Sequence, residues 1–293
     1  MVELSGVMPA LITPFRDGAV DEDALRAHVV RQLEGGVSAL VPCGTTGEAA
    51  TLTDAEHQQV VRAVVEEAAG RVPVLAGCGT ASTAHSIELA ERSKAAGADG
   101  LLLVMPYYLK PTQAGLEAHV RAVVGATGLP TMLYNIPGRS GVDLSIDTLG
   151  RLADVPAIVA IKEATKNVLL SQAIRARFGD RFQVFSGDDG LGLPILAIGG
   201  AGVVSVTANA FPAATVEVVD RFFAGELDEA RRAHLRLLAV HEAMFVEANP
   251  GPVKALLAER GLIAPEVRLP LVWPQEASIA TLRAAVAAAG IEA

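Results

Sequence analysis

Short aliphatic runs, nearly continuous and rich in β-branched side chains, recur along the chain. They are VMPALITPF at 7–15, VSALVPCG at 37–44, VPVLAGCG at 72–79 and DGLLLVMP at 99–106. They continue with PTMLYNIP at 130–137, AIVAIKEA at 157–164, FQVFSGDD at 182–189 and GVVSVTAN at 202–209. A run without polar alternation predicts a strand covered on both faces. The segments between have helical spacing. Thr53 and Glu56 form a capping-box pattern, Ser82 suits an N-cap, and Gly70, Gly97 and Gly128 stand where helix C-terminal glycines belong. Eight strand–helix units predict an α/β fold, a closed (β/α)8 TIM barrel. The alternative, an open doubly wound sheet, lacks a GxGxxG turn after the first run.

From about Leu227 the pattern changes. Segments 227–248, 252–260 and 275–289 read as helices with no strand between them, turning at Asn249-Pro250-Gly251 and around Pro270 and Pro274. The expected organisation is a catalytic barrel over 1–226 and a helical C-terminal extension over 227–293 packed on it. The apolar stretch Leu191–Val206 contains Pro194 and is shorter than the roughly 20 residues of a membrane span, so a short helix, a turn and a buried strand are expected. The first residues, MVELSGVMPALITPF, have neither a basic n-region nor a cleavage-like tripeptide, so no signal peptide is expected.

Composition narrows this further. With 51% hydrophobic and only 4% aromatic residues, the core must be built from Val, Leu, Ile and Ala. The net charge of -9, with both signs interspersed, leaves no basic stripe for nucleic acid. Cys43 and Cys78 have neither metal-ligand spacing nor a disulfide framework, so both are expected as small buried residues in a reducing, cytoplasmic setting.

In such barrels the chemistry sits where strands end. Lys162 lies in the otherwise apolar IVAIKEA, where desolvation favours the neutral amine that a carbonyl substrate needs for a Schiff base. The plainer reading is a structural lysine paired with Glu163 or Asp188. All three tyrosines, Tyr107, Tyr108 and Tyr134, fall at strand ends, where phenols relayed through threonine move protons. All six histidines fall in helices, which predicts solvated surface positions. No Asp, Glu and His cluster has metal spacing at the strand ends. Ser186-Gly187-Asp188-Asp189 and Gly199-Gly200-Ala201-Gly202 read as turns rather than phosphate loops.

GTTGEAATLT (44–53), PYYLKPTQAGL (106–116), YNIPGRSGVDL (134–144), IKEAT (161–165), SGDD (186–189), GVVSVTAN (202–209) and FVEANPGPVK (245–254) together resemble the dihydrodipicolinate synthase family. That family belongs with N-acetylneuraminate lyase in one superfamily of pyruvate-dependent class I aldolases. The resemblance covers about residues 4 to 290 and implies a lyase that condenses pyruvate with L-aspartate 4-semialdehyde, in lysine and diaminopimelate biosynthesis. It implies Lys162 as the Schiff-base lysine, Tyr134 as the proton-passing tyrosine, and Thr45 and Tyr108 as its relay, Tyr108 reaching the adjacent subunit. Thr46 and the backbone of Val204 match positions holding the carboxylate and carbonyl region of pyruvate, and Gly187 and Arg139 positions at the site mouth. A guanidinium at Arg139 suits an aldehyde that carries its own carboxylate. The implied protein needs no metal or organic cofactor and is a homo-oligomer, at least a dimer and by expectation a dimer of dimers, with neither a nucleic-acid nor a membrane partner.

The chain departs from the family pattern at Ser140, where threonine is common, and at Ala49, Asp54, Ala81 and His85, positions of a lysine effector site in feedback-inhibited members. The resemblance therefore does not extend to regulation. Two rival readings stand beside it: another Schiff-base 2-oxo acid aldolase or dehydratase, acting on sugar acids or hydroxy-oxo acids, and a catalytically silent barrel with a binding or regulatory role.

Overall fold

In the computed structural model, which describes residues 4–291, alternate residues of each strand enter two different apolar layers. Met8, Leu75, Leu102, Met132, Tyr134, Ala160, Phe185 and Val204 cluster inside the sheet. Leu101, Leu103, Leu133, Ile161 and Val184 pack outward against helices. Both faces of the parallel strands are covered, which is why the runs carry no polar alternation.

The chain begins with β1 (Gly6–Pro9), a hairpin of β2 (Phe15–Arg16) and β3 (Ala19–Val20), then α1 (Glu22–Glu34) and α2 (Asp54–Ala68). Strands and helices then alternate through β4 (Leu75–Gly77), α3 (Thr83–Ala95), β5 (Gly100–Val104), α4 (Gln113–Thr127) and β6 (Thr131–Asn135). Short α5 (Pro137–Ser140) and α6 (Ile146–Arg151) precede β7 (Ile158–Glu163) and α7 (Val168–Phe178). After β8 (Gln183–Ser186), α8 (Gly192–Ala197), β9 (Gly202–Ser205) and α9 (Pro212–Phe223) come α10 (Leu227–Ala243), α11 (Gly251–Glu259) and α12 (Glu276–Ala289).

The main sheet is parallel, in the order β1-β9-β8-β7-β6-β5-β4. Segment 37–44 closes it without a ladder of its own. Leu40 bridges Val74 and Val41 bridges Ala10. Val41 N donates to Pro9 O at 3.0 Å, and Gly77 N to Pro42 O at 2.9 Å. The result is the expected TIM barrel. The helix ends follow the sequence signals: the Thr53–Glu56 capping box is formed, Ser82 caps α3, and Gly128 ends α4 in a left-handed conformation.

Two expectations need correction. The segment around Phe15 is not one extended strand but the β2–β3 hairpin, turned by Asp17 and Gly18 at φ 54° and 81°. The histidines are not surface residues. His28, His57, His119, His234 and His241 are buried, and among the six only His85 keeps substantial exposure. Each lies on the helix face that meets backbone or polar side chains. His57 Nε2 donates to Gly77 O at 2.7 Å, and His28 Nε2 lies 3.0 Å from Asn209 Oδ1. Burial pushes His28 and His119 down to about 4, which keeps them neutral.

The C-terminal helices share a core with the barrel. Ile12, Val206 and Phe211 pack in one cluster with Val240, Met244, Val253, Leu257 and Leu282. Among the described residues no helix is long and apolar enough to cross a membrane. Cys43 and Cys78 are both buried and unpaired.

Candidate active site

Lys162 and Tyr134 are partners in the β6–β7 register, so both side chains enter the barrel from adjacent strands. Ala160, two residues before the lysine, belongs to the interior layer, and the period of two places Lys162 on the same face. Its Nζ lies 4.1 Å from the centre of the Tyr134 ring. Neither suggested structural partner holds it. Asp188 pairs with Lys166 at 3.2 Å, and Glu163 accepts from Thr165 N at 2.7 Å and Asn135 Nδ2 at 3.2 Å. Burial depresses Lys162 to about 7, opposed by the charge of Asp189 and aided by that of Arg139. A large share of the side chain is therefore the neutral, nucleophilic amine near neutral pH.

Burial has the opposite consequence for Tyr134, raising its phenol to about 12, while Arg139 and a hydrogen bond from the Thr45 side chain act against the rise. The tyrosine stays protonated and retains a hydrogen to pass. Gly187 follows β8 and touches the lysine. A Cβ there would stand 3.0 Å from Lys162 Cε and 2.7 Å from Ala164 Cβ, so the glycine leaves room for a group attached to Nζ.

Thr45 and Thr46 lie on the turn after the segment 37–44. Cys43 and Glu48 flank it in left-handed conformations at φ 56° and 54°, each costing about 1 kcal/mol for a residue with a side chain. Gly47 N donates to Gly44 O at 3.1 Å, and Thr13 Oγ1 donates to Gly47 O at 2.7 Å. Thr46 is buried and its Oγ1 accepts from Asn249 Nδ2 at 3.0 Å. Val204 sits in the interior on β9, beside Met8.

A cavity of about 400 Å³ opens from Thr45 and Tyr134, past Tyr107 and Arg139, to Asp54 and His85. Arg139 stands exposed at its rim on α5. At the far end His85 Nε2 meets Asp54 Oδ1 at 2.9 Å, with Arg92 3.8 Å from the same carboxylate. Tyr134, Thr45 and Arg139 line this cavity; Lys162, which lies over the Tyr134 ring, and Gly187, next to Lys162, are not among its lining residues. Tyr108 does not join them: it is 86% exposed, at φ 71°, and does not line the cavity of its own chain.

Three groups close to the site went unread in the sequence. Asp189 accepts from Ser205 Oγ at 2.5 Å, Val206 N at 2.9 Å and Thr207 N at 3.1 Å, tying the end of β8 to that of β9. Asn135 secures the loop of Arg139. Glu48 and Lys254 form an ion pair of 2.6 Å with both side chains wholly buried. The Asp in SGDD and the Lys in FVEANPGPVK lie in motifs already singled out, and the signal that was available is a charge inside an apolar context. Among the described residues no group of His, Cys, Asp or Glu is gathered as a metal site requires.

Residues 3–289 match the model of the dihydrodipicolinate synthetase family. The chain is 52% identical to the 4-hydroxy-tetrahydrodipicolinate synthase of Geobacter sp. (strain M21), over 95% of this chain and 96% of the relative. The synthase structure from Methylacidiphilum fumariolicum SolV superposes with a TM-score of 0.96 at 39% identity, over 98% of this chain and 96% of that one. The chloride-inhibited dihydrodipicolinate synthase of Acinetobacter baumannii, in complex with pyruvate, superposes with a TM-score of 0.96 at 43% identity, over 99% and 100%.

Proposed function

The chain belongs to the dihydrodipicolinate synthetase family, and from that premise we infer that it is a lyase with 4-hydroxy-tetrahydrodipicolinate synthase activity, condensing pyruvate with L-aspartate 4-semialdehyde. The observation that carries the reading is Lys162, an amine buried in an apolar barrel, depressed to about 7 and facing a protonated tyrosine. Neither rival reading, a sugar-acid lyase or a silent barrel, is favoured beside relatives that are synthases at half identity.

In the proposed mechanism the Lys162 amine attacks the C2 carbonyl of pyruvate and water leaves, giving an imine. Loss of a C3 proton gives the enamine, which attacks the aldehyde carbon. Tyr134, hydrogen-bonded by Thr45, moves the protons. Attack of the product's own amine on C2 then closes the ring and frees Lys162. Thr46 and the Val204 backbone hold the pyruvate carboxylate and carbonyl region, Gly187 leaves space at the lysine, and Arg139 receives the carboxylate of the aldehyde. The lysine itself supplies the covalent chemistry, so no metal or organic cofactor enters. We assign residues 1–226 to the catalytic barrel and 227–293 to its extension. The active unit is a dimer, in which Tyr108 completes the partner's relay, pairing further into a tetramer. Two unpaired buried thiols suit a reducing cytoplasm.

Borohydride reduction in the presence of pyruvate should add one pyruvate-derived mass to the peptide containing Lys162. Lys162→Ala should take up none. Labelling of the alanine variant, or turnover of a keto-deoxy sugar acid in preference to aspartate semialdehyde, would overturn the reading.

A further inference from the structure

The turn that carries Thr45 and Thr46 is held by residues more than 200 positions downstream. Glu48 Oε1 accepts from Lys254 Nζ at 2.6 Å, and its Oε2 accepts from Arg268 N at 2.9 Å. Arg268 Nη1 donates to Thr51 O at 3.1 Å, just beyond the turn. Lys254 Nζ and the Arg268 guanidinium stack on Phe15 at 4.3 and 4.2 Å. The fourth tie is the bond from Asn249 Nδ2 to Thr46 Oγ1.

A buried ion pair adds little to stability beyond what a matched apolar pair would give, because desolvation offsets the attraction. What it does fix is geometry. With both oxygens of Glu48 engaged, the left-handed residue at the end of the turn has no freedom to relax, and Thr45 and Thr46 keep one orientation toward the barrel. The Asn249 bond adds a polarity. Because Thr46 Oγ1 receives an N–H from behind, its own hydrogen is left to donate to an acceptor in the site.

We propose that the C-terminal extension is the positioning element for the pyruvate end of the site, acting through Glu48–Lys254 and Asn249–Thr46. Glu48, Lys254 and Asn249 are positioning residues that set Thr45 and Thr46 without touching the aldehyde. This rests on the functional reading above.

The test uses the full chain and the double substitution Glu48→Leu with Lys254→Met, which removes both charges and keeps the volume. Three quantities are compared with the unsubstituted protein: half-saturating pyruvate for borohydride trapping, half-saturating aldehyde at saturating pyruvate, and Tm. The expected result is at least a tenfold rise in half-saturating pyruvate, with aldehyde dependence within twofold and Tm within a few degrees. If the double variant does not fold, Asn249→Ala is judged by the same criteria. Pyruvate dependence within twofold of the unsubstituted protein overturns the inference, as does a parallel loss of both dependences with Tm. An unsubstituted protein that traps no pyruvate overturns the functional reading instead, and this inference falls with it.

Discussion

At the scale of single residues, a charge inside an apolar strand is the clearest signal in this chain. Lys162 is legible because every neighbour in IVAIKEA but Glu163 is apolar, and the structure gives the amine a depression to about 7 from an ordinary 10.5. The consequence for pH is direct. The neutral fraction grows as pH rises through about 7 and is nearly complete two units higher. The rate of imine formation, measured by rapid quenching with borohydride at saturating pyruvate, should therefore climb to about pH 8 and level off. A rate still climbing between pH 9 and 10 would show an unperturbed lysine. Lys254 is as deeply buried, and its charge among apolar neighbours marks it in the same way, but its partner Glu48 lies 206 positions away in another motif, so the pairing itself is not legible. The histidines fail differently. Helical spacing places His28, His57, His119, His234 and His241 in helices, and polarity suggests the wet face, whereas the polar partners of His28, His57, His119 and His241 lie on the dry one.

At the scale of elements, continuous aliphatic runs made the strands readable, since only a sheet covered on both sides tolerates them. The hairpin of β2 and β3 was not read, although Asp17-Gly18 is the dipeptide such turns favour, because two strands of two residues leave no periodicity to detect. Helix α5 carries Arg139 and is only four residues long, too short to hold itself. Asn135 at the end of β6 holds the loop instead, its Nδ2 donating to Asp143 Oδ1 at 2.7 Å and its Oδ1 accepting from Leu144 N at 3.0 Å. Ser140 Oγ adds a bond to Val142 O at 2.8 Å. None of these passes through the arginine side chain, so Arg139→Ala should leave the element folded. We expect pyruvate trapping within twofold and a loss of about 2 kcal/mol in use of the aldehyde, roughly 30-fold, from the missing charge-assisted pair. An equal loss of trapping, measured on the same preparation, would assign Arg139 to the architecture instead.

At the scale of the whole molecule, the barrel and its helical tail were foreseeable from the change of pattern near Leu227, but contacts across the chain were not. Tyr108 shows the gap. It is exposed, held at φ 71°, a conformation unfavourable for a residue of its size, and does not line the cavity of its own chain. If it completes a neighbour's relay, mixing inactive Lys162→Ala with inactive Tyr108→Phe subunits should restore activity, because each hybrid dimer contains one intact site. Hybrids verified by native mass spectrometry and still inactive would place Tyr108 outside the relay. The ties from Asn249, Lys254 and Arg268 to the turn at Thr45 and Thr46 also carry a consequence for biosynthesis. Chains emerge from the ribosome N-terminus first, so the strands that carry Lys162 and Tyr134 are made long before the segment that sets the threonines. A nascent barrel whose strands are already paired still lacks the ties that hold Thr45 and Thr46 until residues 249–268 have been made.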